Sequence, residues 1–208
     1  MAKVLALTSS MDHQAELECI GRVRGGDHAA YAVLVDRHKR LAYSIALKVL
    51  GNEEDAEDVA QEGFIKAFQQ LHHFEGKSKF STWLYTIVYR TALAKVSENR
   101  TRLLPITDQL KDRVATGHAA PQLSLMQTDD ERRAISAAID KLPGPEALLV
   151  ILYYIDENSI SEIQQITGLS AANIKIKLFR ARKKLERELR FLLDMNTREE
   201  KKYGNGKS

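Results

Sequence analysis

The sequence predicts an all-α fold, with two small helical domains joined by a flexible linker. Through most of the chain, apolar residues recur every three or four positions, which is the period of an amphipathic helix. Only 4 of the 208 residues are proline, so few positions oppose helix formation. Periodicity fades between residues 101 and 128, where Pro105, Gly117 and Pro121 occur, and this favours a linker. We expect an N-terminal tail (1–14), a first domain (15–100), the linker (101–128), a second domain (129–193) and a C-terminal tail (194–208).

The amino-acid composition indicates the cellular compartment in which such a protein is expected to work. Cys19 is the only cysteine, so no internal disulfide can form and a reducing, cytoplasmic compartment is expected. No apolar run approaches the roughly 20 residues that cross a bilayer. The first 17 residues lack the apolar core and cleavage site of a signal peptide. We therefore predict a cytoplasmic protein without membrane insertion.

Four helices are predicted in the first domain, each bounded by a capping residue or a glycine. The apolar stripe of the second helix includes His38. The predicted limits are Leu17 to Gly25-Gly26, Asp27 to Gly51, Asn52 to Leu71 and Ser81 to Asn99.

Four more helices are predicted in the second domain. Pro143-Gly144-Pro145 separates the first pair, and the apolar run at 147–153 could by itself be a strand, although its helical surroundings favour a buried helix. Ser159 and Glu162 have the spacing of a capping box, and Gly168 ends the helix that follows. The predicted limits are 131–142, 146–155, 160–167 and Ser170 to Leu193.

The last two helices have the spacing of a helix-turn-helix, and the second of them is strongly basic. Between Ser170 and Arg190 the chain carries eight bases and two acids. Such a helix would be attracted to DNA phosphates, and its first half could enter a major groove. The alternative is an amphipathic helix whose basic face meets only solvent.

Charge also separates along the first domain. Residues 50–72 contain six carboxylates and one lysine, whereas residues 74–102 contain six bases and two acids. The basic segment is rich in aromatic residues, and aromatic faces combined with cations suit unpaired nucleic-acid bases. The alternative is that Phe80 and Trp83 belong to the core, which the apolar stripe favours for Trp83.

The acidic segment is better suited to a protein partner or to solvent than to catalysis. Its carboxylates spread around a helix start, whereas a metal site needs convergent ligands. His72-His73 lacks the further ligands of a zinc site. No phosphate-binding glycine loop and no nucleophile with its base can be identified. We expect no enzyme activity, no cofactor and no metal.

Two long segments resemble a known family. LGNEEDAEDVAQEGFIKAF and FEGKSKFSTWLYTIVYRTAL resemble region 2 of the extracytoplasmic-function (group 4) sigma factors of RNA polymerase. KLPGPEALLVILYYIDENSISEIQQITGLSAANIKIKLFRARKKL resembles region 4 of the same family. The resemblance covers about 22–100 and 130–190, in the family's order.

This resemblance implies a subunit that brings RNA polymerase core to promoter DNA and melts the −10 region. Region 2 would bind the β′ clamp helices and region 4 the β flap, and an anti-sigma factor would be a further partner. The implied clamp-binding residues are Asp55, Glu57, Asp58, Gln61 and Glu62. The implied −10 residues are Phe74, Gly76, Lys77, Ser78, Lys79, Phe80, Tyr85, Tyr89 and Arg90, next to Trp83. The implied −35 residues are Ser170, Asn173, Lys175, Ile176, Lys177, Phe179, Arg180 and Arg182.

Two other functions stay open from the residues alone. An autonomous helix-turn-helix regulator would bind duplex DNA tightly without polymerase. A helical enzyme using the acidic cluster would lose turnover when Asp58 or Glu62 is replaced.

Overall fold

The computed structural model describes residues 14–102 and 129–204, with side chains for 14–99 and 133–190. All regular structure within these residues is helical. The helices are α1 (14–24), α2 (Ala29–Leu50), α3 (Glu53–Gln70), α4 (Phe80–Arg102), α5 (Asp129–Asp140), α6 (Gly144–Val150), α7 (Ile160–Thr167) and α8 (Ala171–Gly204). A 3-10 turn (Leu71–His73) follows α3, and a π-helical segment (Ile151–Ile155) continues α6. None of these helices is long and apolar enough to cross a membrane.

The capping residues determine several helix ends, as the sequence predicted. The Asn52 side chain accepts a hydrogen bond from the Asp55 amide at 2.8 Å, which satisfies a free N–H at the start of α3. Ser159 and Glu162 form a complete capping box on α7. Gly51 and Gly168 have φ of 79° and 73°, a left-handed conformation that glycine adopts without a steric penalty.

Other boundaries differ from the prediction. The predicted break at Pro143 does separate α5 from α6, but Gly144 and Pro145 already belong to α6, because proline is tolerated in a first turn where the amide has no helical partner. The apolar run after it is helical, but its end widens into the π-helical segment. The last helix, predicted to end near Leu193, continues to Gly204, since no glycine or proline interrupts it earlier.

The N-terminal half (14–102) is a bundle in which α2, α3 and α4 pack against one another. Gly63 allows α3 to approach α4 closely, because a Cβ at this position would lie 2.7 Å from Val88 Cγ2. The Tyr31 hydroxyl donates a hydrogen bond to the Phe64 carbonyl at 2.7 Å, which joins α2 to α3. This packing determines where the acidic and basic segments lie.

The C-terminal half (129–204) packs directly on the N-terminal half. Helix α6 contacts α2, and α7 contacts α4. Buried apolar residues of both halves form one continuous cluster. The linker residues 103–128 lie outside the described residues. The two helical domains that the sequence predicted therefore share an interface in this structure.

Candidate nucleic-acid and polymerase interfaces

The helix-turn-helix of the C-terminal half is held rigid by its apolar side. Ile163 and Ile166 of α7 and Ile174 and Leu178 of α8 are all buried. Ser170 caps α8 by accepting a hydrogen bond from the Asn173 amide at 3.3 Å. Burial of these side chains holds α8 in place, and leaves its opposite face available to a ligand.

The free face of α8 is both basic and apolar. Ile176 and Phe179 are 52% and 51% exposed, so two large apolar side chains of α8 face solvent. The Lys183 ammonium lies 4.8 Å from the centre of the Phe179 ring. Exposed on α8 or just before it are Ser170, Asn173, Lys175, Arg180 and Arg182, while Lys177 is half-buried.

The loop between α3 and α4 is tied down at its start by α1. The Arg24 guanidinium donates hydrogen bonds to the backbone carbonyls of Leu71, at 2.9 Å, and of Phe74. Gly76 then turns the chain with φ of 72°. Gly76, Lys77 and Lys79 are exposed and Ser78 is half-buried. A fixed start and an exposed polar tip are features of a binding loop.

The aromatic residues that the resemblance assigns to −10 recognition divide into two groups. Phe74, Phe80 and Tyr85 are buried, with exposures of 4%, 0% and 1%. Tyr89 is half-buried and Arg90 exposed. In this arrangement these three side chains are not accessible from solvent, and their assignment to DNA contact stays a prediction.

The buried aromatic residues instead support the loop. The Phe74 ring packs 5.3 Å from Trp83 and 5.8 Å from Phe80. Trp83 is half-buried beside them, as its place on the apolar stripe of α4 predicted. These rings fill the space below the loop and bury large apolar areas.

A polar chain beneath α4 was not predicted from the sequence. The Tyr85 hydroxyl lies 2.9 Å from His38 Nδ1, and His38 Nε2 lies 2.8 Å from the Glu16 carboxylate. All three side chains are buried. The only sequence signal was His38 on an apolar stripe, since Glu16 and Tyr85 are 22 and 47 residues away in the chain.

The acidic residues of α3 differ in their exposure and in the groups that bind them. The Asp55 carboxylate is bound by two residues of the N-terminal half: Asn52 Nδ2 lies 2.9 Å from it and Lys95 Nζ lies 3.4 Å from it. The hydrogen bond from Asn52, aided by Lys95, lowers the pKa of Asp55. Glu57, Asp58, Gln61 and Glu62 are exposed, and Glu62 pairs with Lys66 at 2.7 Å. Among the described side chains, no three His, Cys, Asp or Glu residues converge on a point.

The fold and its charged faces define a helical nucleic-acid-binding protein, and comparisons identify its family. Residues 34–102 match the profile of sigma-70 region 2, and residues 132–185 match that of sigma-70 region 4. The chain belongs to the sigma-70 family, and to its extracytoplasmic-function class.

Two relatives agree with this assignment. The chain is 33% identical over 185 residues to the ECF RNA polymerase sigma factor SigW of Bacillus subtilis, covering 83% of this chain and 96% of SigW. It is 29% identical over 180 residues to the ECF RNA polymerase sigma-E factor of Escherichia coli K12, covering 84% and 94%.

Two solved structures share the fold at lower identity. CnrH in complex with the cytosolic domain of CnrY matches with a TM-score of 0.53 and 23% identity, over 87% of this chain and 98% of that one. The sigma factor RpoE in complex with the anti-sigma factor NepR, from Bartonella quintana, matches with a TM-score of 0.54 and 19% identity, over 77% and 96%.

Proposed function

We propose that this chain binds RNA polymerase core and directs it to promoters by contacting two separate DNA elements. The observation that carries the proposal is the presence of both sigma regions in order, each with an exposed basic surface. The chain supplies recognition and melting, and the polymerase supplies the chemistry, so no catalysis by the chain itself is required. It would act in the cytoplasm, together with that enzyme.

The start of α8 is proposed to contact the −35 element in the major groove. Lys175, Arg180 and Arg182 are suited to phosphates or guanine edges, and exposed Ile176 and Phe179 to thymine methyl groups. The hydroxyl and amide of Ser170 and Asn173 lie at the N-terminus of this helix, where phosphates bind favourably. Half-buried Lys177 is the least accessible residue of this set.

The loop after α3 and the start of α4 are proposed to contact the −10 element. Gly76, Lys77, Ser78 and Lys79 would follow the backbone of a separated strand, with Tyr89 and Arg90 further along α4. Phe74, Phe80 and Tyr85 would hold this surface in shape. Direct stacking of a base on any of these three requires the surface to open first.

The acidic face of α3 is proposed to bind the β′ clamp helices of the polymerase, and the C-terminal half to bind the β flap. Glu57, Asp58, Gln61 and Glu62 support this, because they are exposed and near the start of one helix. Asp55 would contribute less, since Asn52 and Lys95 already bind its carboxylate. We also propose an anti-sigma factor as an inhibitory partner, since RpoE was solved with one bound.

Charge-matched variants test these assignments. Arg180→Ala should lower run-off transcription with core polymerase at least tenfold, because a desolvated guanidinium contact to DNA is lost. Arg190→Ala is the control, since Arg190 lies on the same helix but pairs with Glu186. Equal transcription by both variants would contradict the −35 assignment.

The polymerase assignment is tested by binding to the core enzyme without DNA. Asp58→Ala should weaken binding to core about tenfold, whereas Asp36→Ala, an exposed acid of α2, should leave it unchanged. Normal binding by the Asp58 variant would overturn the proposed docking face.

A further inference from the structure

Helix α1 lies outside the residues that match sigma-70 region 2, because that match begins at residue 34. It nevertheless reaches the loop proposed for −10 DNA. Arg24, the last residue of α1, donates hydrogen bonds to two backbone carbonyls at the start of this loop, that of Leu71 at 2.9 Å and that of Phe74. These bonds join parts of the chain that are 47 and 50 residues apart. The start of the loop is therefore held by a helix to which the family match assigns no role.

The chemistry of these hydrogen bonds suits the end of a helical segment. The last carbonyls of a helix have no partner within it, and a nearby cation is favoured there. The Leu71 carbonyl accepts a hydrogen bond from the Phe74 amide at 3.1 Å as well as those from Arg24. A guanidinium is a rigid planar fork, so it can hold two acceptors at a fixed spacing. Arg24 thereby fixes the direction in which the backbone leaves the 3-10 turn.

The direction of the backbone at Phe74 determines where the exposed part of the loop lies. The Phe74 side chain is buried, and the guanidinium of Arg24 binds its carbonyl. Gly76 and Lys77 follow directly and are exposed, and Lys77 pairs with Glu75 of the loop itself. A short loop whose tip makes such local contacts takes its position from its ends. Without Arg24, the start of the loop would be held mainly by the packing of one ring.

Helix α1 is itself well anchored, which a positioning element requires. Ile20 and Val23 belong to the buried apolar cluster. Nearer the start of the helix, the Glu16 carboxylate lies 2.8 Å from His38 Nε2, and His38 Nδ1 lies 2.9 Å from the Tyr85 hydroxyl. One end of α1 is thus connected through buried groups to α4, and its other end is bonded to the loop before α4.

We propose that Arg24 is a positioning residue for −10 recognition, and that α1 acts as a brace for the loop between α3 and α4. This inference rests on the proposed function, because it takes the loop to be a DNA-binding one. Arg24 acts through the backbone of the loop and does not contact DNA. In its absence the binding conformation becomes one of several, and the apparent affinity for the −10 strand falls in proportion to its population.

Three variants of the full chain test this role. Arg24→Ala removes every hydrogen bond from α1 to the loop. Arg24→Gln is milder, because it keeps an aliphatic stem and one donor group. Arg22→Ala is the matched control, since it removes the same charge from the same helix, where the Arg22 guanidinium binds Asp27 at 2.6 Å instead of the loop.

The measurement uses holoenzyme, assembled from core polymerase and each variant, and a single-stranded −10 oligonucleotide from a promoter found by run-off transcription. Arg24→Ala should bind this strand about tenfold more weakly than the wild type, and its preference over a scrambled strand should shrink. Arg24→Gln should show a smaller loss in the same direction. Affinity for core polymerase and for a −35 duplex should not change, whereas a general loss of stability would not single out the −10 strand.

Salt dependence distinguishes positioning from direct contact. A side chain that binds a phosphate of a single strand adds about 0.7 to the slope of log affinity against log salt concentration. Because Arg24 is proposed to act on the loop, Arg24→Ala should lower the affinity at every salt concentration and leave the slope unchanged. A slope shallower by about 0.7 would mean that Arg24 binds DNA itself, and would overturn the positioning role.

The other outcomes separate this role from the proposed function. Equal −10 affinity in the wild type and both Arg24 variants, or equal losses in Arg24→Ala and Arg22→Ala, would overturn the role of Arg24 while run-off transcription by the wild type still supports a sigma factor. A wild-type chain that directs no run-off transcription would overturn the proposed function, whatever the Arg24 variants do.

Discussion

At the scale of single residues, the carboxyl group of Asp156 makes the stability of the fold depend on pH. Burial raises the pKa of Asp156 to about 6, although the hydrogen bond from Asn158 and the nearby His38 and Lys79 oppose this shift. A carboxyl group with a raised pKa in the folded state favours folding when it is protonated. Its contribution is therefore full below about pH 4 and is lost as the pH rises through about 6.

Asp156→Asn should remove this dependence. Asparagine keeps the shape and accepts the hydrogen bond from Asn158, but it carries no charge to bury. We expect the free energy of unfolding at pH 7.5 to rise by about 1–3 kcal/mol, and the difference from the wild type to shrink as the pH approaches 4. Urea denaturation at several pH values measures both. A gain that is independent of pH would contradict the account.

The buried chain of Glu16, His38 and Tyr85 gives a second prediction. Tyr85→Phe removes one hydroxyl and leaves His38 Nδ1 without its partner. This should cost about 1–3 kcal/mol in the free energy of unfolding. Tyr153→Phe, at an exposed tyrosine, should change it by less than about 0.5 kcal/mol. Equal effects would mean that the buried hydrogen bond contributes nothing.

Local chemistry explains why some residues could be assigned from sequence and others could not. Asn52, Ser159 and Gly168 act on their own helix ends, so a few neighbouring residues reveal them. Arg24 and Glu16 act on residues about 50 and 22 positions away, and their neighbours in the sequence carry no sign of it. The burial of Tyr85 likewise depends on packing between distant helices.

At the scale of elements, α7 is the helix on which both the helix-turn-helix and the contact with α4 depend. It has only 8 residues, so its stability comes from its ends and its packing. The Ser159–Glu162 capping box satisfies its N-terminus, and Lys79 binds the same glutamate from α4. Burial raises the pKa of Glu162, but the hydrogen bonds from Ser159 and the ion pair with Lys79 outweigh it and lower the pKa overall.

Ser159→Ala should therefore weaken this element specifically. Loss of the cap should cost about 1 kcal/mol in the free energy of unfolding. Ser161→Ala, in the same helix and exposed, should be neutral or slightly stabilising, because alanine is the better helix former. Chemical denaturation compares the two. A larger loss at Ser161 would show that the cap is not what holds α7.

Helix periodicity predicted the elements better than their contacts. The apolar stripes gave helix type and approximate position throughout the described residues, including the helix-turn-helix. The closure of the two halves could not be predicted, because Lys48 and Asp140 are 92 residues apart and no local pattern joins them. The π-helical end of α6 could not be predicted either, because a continuous apolar run has no periodicity that distinguishes one helix type from another.

At the scale of the whole molecule, the two sigma regions pack against each other, which leaves the proposed −35 face exposed and brings α7 against part of the proposed −10 face. Ile176 and Phe179 on α8 are exposed, while Lys79 is bound by Glu162.

The most direct test of the central claim is run-off transcription from a randomised promoter library, with bacterial core polymerase and this chain. The account predicts that initiation depends on the chain, and that the selected templates share two separated elements upstream of the start site. It also predicts weak duplex binding by the chain alone. Initiation no higher than that of core polymerase by itself, on every template, would contradict the account.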